Sequence, residues 1–191
     1  VTTPKVNTIH RGGSRFYVEP DTGQKVPGVT SILNMLPKPF LKAWAARVVA
    51  ETAVRDVVAL QNLVAADPSG AIDYLKRAPY RDTRNAADTG TGAHDYFERM
   101  ARGETIDYAE VPDELLPFVE HYDDFLQTVQ PEFHFLEETV WSDTHQYAGS
   151  FDCFLTIDGE KAWGDNKTTR SGVHEEVGLQ LAAYRFADNI L

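Results

Sequence analysis

Tyr147-Ala-Gly-Ser-Phe-Asp152-Cys-Phe-Leu-Thr-Ile157-Asp158-Gly159-Glu160-Lys-Ala-Trp-Gly-Asp165-Asn-Lys167-Thr168 reads as two strands joined by a two-residue turn. Asp-Gly between apolar-rich runs is the strongest short-range hairpin signal, because both turn positions need a positive φ. With Asp158 and Gly159 as the turn, Ile157 faces Glu160 and paired residue numbers sum to 317. That register sets Asp152 opposite Asp165 with both side chains on one face. Lys167 shares the face because strand side chains alternate, and Cys153, Leu155 and Ile157 are expected on the other, toward a core. Two carboxylates opposed across a ladder repel each other. A divalent cation between them removes the repulsion, and Mg²⁺ or Mn²⁺ takes such hard oxygen ligands. A metal so held can activate water and neutralise charge on a phosphodiester. A neighbouring lysine can orient or deprotonate that water, or stabilise the phosphorus centre. The plain alternative for the same residues is a solvated hairpin face.

Outward from the hairpin, the period of the sequence changes several times. Phe133–Trp141 reads as a preceding strand and Val173–Leu191 as a following helix, so that the chain would end within a helix, as a fragment would. Pro112 to about Val129 reads as an acidic helix ended by Pro131. In 85–102, Ala86, Gly90, Ala93, Phe97 and Met100 form one helical stripe whose small residues allow close approach to a neighbour. A long helix is expected from Phe40 to about Ala66, then a break at Asp67-Pro-Ser-Gly70 and a short helix over 71–77. A hairpin is expected around Pro20-Asp-Thr-Gly23, between Arg15–Glu19 and Gln24–Val26, followed by a short helix capped by Thr30 or Ser31. Without repeats or low-complexity tracts, the 191 residues read as one mixed α/β domain, with a hairpin and helices over 1–84 and a catalytic core over 85–191.

Bulk composition narrows the setting. Cys153 is the only cysteine, which excludes an internal disulfide and a four-cysteine iron–sulfur cluster and fits a reducing, cytoplasmic setting in a bacterium or a phage-infected host. No apolar run is long enough to span a membrane. The net charge of −11 is unevenly spread. Residues 1–50 hold seven Lys/Arg against two Asp/Glu, whereas 101–150 hold one against twelve. A basic face toward phosphates is therefore available at the N-terminal end, and the acidic segment must turn away from any nucleic acid.

Three motifs in order carry a family resemblance: Gly149-Ser-Phe-Asp152, Gly164-Asp165-Asn166-Lys167-Thr168 and Gln180-Leu-Ala-Ala-Tyr184. Upstream stands Gly90-Thr-Gly-Ala-His94 with Glu98. Together these resemble the PD-(D/E)XK nucleases in their RecB-type and phage exonuclease branch, which includes the RecBCD nuclease domain and the CRISPR-adaptation nucleases. The match spans roughly 84–188, and Val26-Pro-Gly-Val-Thr-Ser-Ile-Leu33 is similar to phage members with much lower specificity. The resemblance implies a restriction-endonuclease-like central mixed sheet flanked by helices and hydrolysis of DNA to 5′-phosphate and 3′-hydroxyl ends. It favours an exonuclease of replication, recombination or repair, with a helicase or recombination protein as partner. An endonuclease on the same scaffold and a nuclease-like module that binds DNA or protein without cutting are the alternatives. By position, the resemblance implies His94, Asp152 and Asp165 as metal ligands with the Asn166 backbone carbonyl as a fourth, and Lys167 as the catalytic lysine. Gln180 and Tyr184 would line the site from one helix face. Asn166 departs from the family, whose middle position is commonly apolar; a buried amide there needs partners. The family's iron–sulfur cluster is not expected.

Other candidates lie outside those motifs. Arg77, Arg81 and Arg84 precede the histidine helix, as a solvated loop or as an edge that tracks phosphates. Glu138 could add a carboxylate to the metal centre, although Glu137-Glu138 reads more simply as a solvated strand edge. His10, His121, His134, His145 and His174 show no ligand spacing, and Leu41 and Trp44 read as core.

Overall fold

The computed structural model describes residues 4–169 and 172–191, and the fold is mixed α/β. The elements run β1 (Thr8–Arg11), β2 (Ser14–Val18), β3 (Lys25–Pro27), α1 (Val29–Leu33), α2 (Phe40–Arg55), α3 (Val57–Ala66), α4 (Pro68–Lys76) and α5 (Ala78–Ala101). A 3₁₀ turn (Tyr108–Glu110) leads to α6 (Leu116–Val129), β4 (Glu132–Ser142), β5 (Tyr147–Ile157), β6 (Glu160–Gly164), α7 (Glu175–Arg185) and β7 (Asn189–Ile190). Backbone proximity divides the chain into two compact units, one of residues 1–36 with 89–191 and one of 37–88.

The larger unit contains both sheets. β1, β2 and β3 form an antiparallel meander, and β6-β5-β4-β7 form a four-stranded antiparallel sheet. The first 36 residues join the C-terminal part, rather than the helices up to residue 84, because the meander shares a core with the hairpin. Val6, Tyr17 and Val26 are buried with Trp141 and Ala148, and the Tyr17 hydroxyl accepts from the Ser150 amide at 3.1 Å. A second core, of Val29, Val140, Phe151 and Tyr184, carries α1 and α7. A third, of Ala93, Phe97, Met100, Val119 and Tyr122, joins α5 to α6, with the Phe97 and Tyr122 rings stacked 4.5 Å apart. The small residues of α5 act as expected. A β-carbon on Gly92 would lie 2.9 Å from Leu115, and one on Gly90 would lie 3.2 Å from the Thr168 hydroxyl beyond the hairpin.

The central hairpin follows its turn chemistry. Asp158 and Gly159 have φ of 51° and 82°, the paired positive values of a type I′ turn. Ile157 pairs with Glu160 and the register continues to Cys153 and Gly164. There the ladder stops, so β6 is shorter than the expected strand to Thr168, and Asp152 and Asp165 are not a hydrogen-bonded pair. Alternation also breaks in β5. Phe151 and Phe154, three residues apart, both contact the Trp163 ring, at 4.6 and 4.8 Å, which strict alternation would put on opposite faces.

The C-terminal segment corrects the expected helix to Leu191. α7 ends at Arg185, and β7 then pairs with Val140 and Trp141 of β4 as the fourth strand. Asp188 directs the change, accepting from the Ser142 and Thr144 hydroxyls and the Thr144 amide at 2.9–3.0 Å. These bonds hold its carboxyl below the usual range.

The unit of residues 37–88 is helical. The expected helix from Phe40 to Ala66 is two helices, because Asp56 leaves helical geometry at φ −102°, ψ 23°. Its carboxylate takes the Arg55 guanidinium at 2.9 and 3.0 Å and the Tyr74 hydroxyl at 2.5 Å, which lowers its pKa to about 2. Such side-chain bonds compete with helix continuation.

Gly149 is the tightest point between hairpin and α7. A β-carbon there would lie 2.6 Å from a Tyr184 ring carbon and 3.0 Å from Val29, both buried. Gly149→Ala is expected to destabilise by about 1–3 kcal/mol, the usual cost of overpacking, and to displace Tyr184. Chemical denaturation measures this, and an unchanged midpoint would show that Tyr184 yields without cost.

Candidate metal centre

His94, on α5 next to Ala93 of the buried stripe, has its ring near Asp152 of β5. Its side chain is 15% exposed and that of Asp152 is 3% exposed. Nδ1 of His94 is buried without a hydrogen-bond partner and lies 3.5 Å from Asp152 Oδ2, too far for a good imidazole–carboxylate bond. The Asn166 backbone carbonyl also faces the imidazole. Burial lowers the His94 pKa against the opposing pull of the Asp152 charge, and Lys167 lowers it further. The ring is therefore disposed to be neutral, the form that ligates metals.

The carboxylates are arranged around this point from β4, β5 and the segment that follows β6. Ligand atoms of His94, Glu137 and Asp152 all lie within 4.8 Å of one another. Asp152 Oδ2 also accepts the Asn166 amide at 2.5 Å, which turns the chain after β6 back toward β5. Asp165, with a side chain 6% exposed, sends Oδ1 to the Gln180 amide at 2.9 Å, while the Lys167 ammonium lies against Oδ2. Burial, with the charge of Asp152 next in weight, raises the Asp165 pKa, and Lys167 opposes both. Lys167 Nζ also approaches Gln180 Oε1 at 3.4 Å, and Gln180 donates to the Tyr184 hydroxyl at 2.7 Å. Gln180 and Tyr184, four apart on α7, are buried. Gln180 thus joins the acid, the lysine and the tyrosine into one chain of contacts.

An imidazole with an orphaned buried nitrogen, two carboxylates and a backbone carbonyl make a donor set suited to Mn²⁺ or Mg²⁺. The expected residues His94, Asp152, Asp165, Lys167, Gln180, Tyr184 and the Asn166 carbonyl come together. Their grouping differs from the expectation in one respect: Asp165 is engaged by Lys167 and Gln180, while Glu137 joins His94 and Asp152. Glu138, weighed for that part, pairs with Lys5 on the surface. The Asn166 side chain poses no burial problem, since the residue is only partly buried beyond the end of β6. Cys153 is buried and its thiol is pushed up to about 12, chiefly by burial, so it is not a thiolate at neutral pH.

The three arginines belong to the unit of residues 37–88, and they lie in helices or at a helix cap rather than a loop. Arg81 is engaged internally, 4.2 Å over the Tyr74 ring and bonded to the Tyr74 carbonyl at 2.9 Å. Arg77 and Arg84 are exposed, Arg84 being 4.0 Å from Asp88. Glu137 had no signal in the sequence that separates it from its neighbour Glu138. No family model matches the chain, and no curated protein matches it. No helix among the described residues is long and apolar enough to cross a membrane.

Proposed function

We propose that this chain is a metal-dependent DNA nuclease of the PD-(D/E)XK type, acting as an exonuclease in DNA replication, recombination or repair. The observation that carries the reading is the convergence of His94, Asp152 and the Asn166 carbonyl at one point, beside an acid–lysine pair from the segment that follows β6. A structural hairpin has no need to bury two aspartates beside an unpartnered imidazole nitrogen, because each buried charge costs free energy unless it is used.

His94, Asp152 and the Asn166 carbonyl would hold Mg²⁺ or Mn²⁺. Bound there, the cation would neutralise charge on the scissile phosphodiester and lower the pKa of water. Lys167 is partly exposed, its side chain at 31%, so its ammonium reaches solvent where a water and a phosphate oxygen would meet. It would orient the attacking water by donating a hydrogen bond to it, or offset negative charge at phosphorus. Asp165 and Gln180 would fix the lysine, and Tyr184 would fix Gln180. Arg77 and Arg84 are exposed and would be the arginines that contact phosphates, whereas Arg81 is committed to Tyr74. DNA is the substrate in this reading, and a helicase or recombination protein is the expected partner.

A cleavage assay on linear and closed circular duplex DNA tests the reading, with Mg²⁺, Mn²⁺ or a chelator. Degradation of linear DNA alone, dependent on the cation, is the expected result. Cutting of closed circles would make the protein an endonuclease on the same scaffold. Binding without cleavage of any DNA would replace the enzyme with a non-cutting module.

A further inference from the structure

Glu137 occupies an unusual place for a strand residue. The pairs Leu136–Cys153 and Glu138–Phe151 leave it opposite Asp152, where a second carboxylate is unfavourable in a plain sheet. Its φ is 56°, a left-handed value that a non-glycine residue adopts at a cost in free energy. The break in alternation between Phe151 and Phe154 lies directly across from it. Opposite Asp152 the carboxylate shares its face of the ladder, and its charge helps to raise the pKa values of Tyr122 and Cys153. Glu138 next door pairs instead with Lys5. Glu137 offers a donor atom within 4.8 Å of those of both His94 and Asp152, and the buried Nδ1 of that histidine has no hydrogen-bond partner.

We infer that Glu137 is a metal ligand, completing with His94 and Asp152 a three-residue divalent-cation site drawn from α5, β4 and β5. The inference rests on the metal-dependent reading above and adds a carboxylate that no sequence motif assigns. It also divides the labour among the acids: Glu137 and Asp152 serve the cation, while Asp165 holds Lys167. One imidazole among oxygen donors favours Mn²⁺ over Mg²⁺.

Titration calorimetry and thermal unfolding with Mn²⁺ alone, without DNA, test this on the full chain. Glu137→Gln is expected to weaken Mn²⁺ binding by more than about 100-fold, beyond the roughly 10–100-fold lost with a typical outer partner. Glu138→Gln is expected to leave it unchanged. Glu137→Gly separates ligation from folding, because glycine accepts the positive φ. This variant should unfold in chelator at or above the wild-type temperature and yet lose most of its stabilisation by Mn²⁺. Wild-type Mn²⁺ affinity in both Glu137 variants, with binding still abolished by Asp152→Asn, would overturn the role of Glu137 and leave the metal-dependent reading standing. No Mn²⁺ binding by the wild type would overturn both.

Discussion

Lys167→Ala is expected to reduce DNA cleavage by about 10²–10³-fold, the range lost with a positioned hydrogen-bond donor at developing negative charge, while Mn²⁺ binding stays within a few-fold of wild type. The separation follows from geometry. Lys167 contacts Asp165 and Gln180, whereas the converging donors belong to His94, Glu137 and Asp152. Folding should survive, because the Asp165 pKa is already raised by burial. Without the neighbouring cation this carboxyl can take up a proton rather than remain a buried lone charge. Lys167→Arg should not rescue, since a planar guanidinium does not fit the place that a compact ammonium takes against Asp165 and Gln180. Single-turnover cleavage of linear duplex, with calorimetry on the same samples, measures both arms. Cleavage by Lys167→Ala within tenfold of wild type would remove the lysine from the mechanism.

What the sequence revealed depended on how local the determinant was. The hairpin was legible to the residue because two adjacent residues, Asp158 and Gly159, set its turn and its register. Gln180 and Tyr184 were legible as one helix face for the same reason, a fixed spacing of four. β7 was not, since a two-residue strand exists only because β4, some fifty positions earlier, offers an edge and Asp188 finds Ser142 and Thr144. The break at Asp56 likewise depends on Tyr74 from another helix. The N-terminal meander looked separable from the catalytic core, yet Tyr17 and Val26 are buried with Trp141 and Ala148. At the site, the residue types were legible and their grouping was not. Counting along an ideal ladder put Asp165 beside Asp152, but the ladder ends at Gly164 and the Asn166 amide folds back onto Asp152. Glu137 was hidden because nothing local in the sequence sets the register of β4 on β5, which is what places Glu137 rather than Glu138 opposite Asp152.

Asp152→Asn should separate stability from activity most sharply. Asp152 is 3% exposed and shares its surroundings with Glu137 and Asp165, so without a cation these acids oppose one another. Asparagine has nearly the same shape and keeps an oxygen to accept the Asn166 amide, now 2.5 Å from Asp152 Oδ2, while it removes one buried charge. In chelator the variant is expected to be more stable than wild type by about 1–2 kcal/mol, as when a buried charge is replaced without leaving a cavity. Cleavage is expected to fall by about 10³-fold, since a metal contributes several kcal/mol of charge stabilisation and each 1.36 kcal/mol is tenfold. Stabilisation by Mn²⁺ should largely disappear. Denaturant unfolding in chelator and in Mn²⁺, beside the cleavage assay, reads all three. Lower stability in chelator would mean that the Asp152 carboxylate serves the fold rather than a cation. Such opposition between stability and activity is the mark of a functional cluster, and at Asp152 the two explanations predict opposite signs.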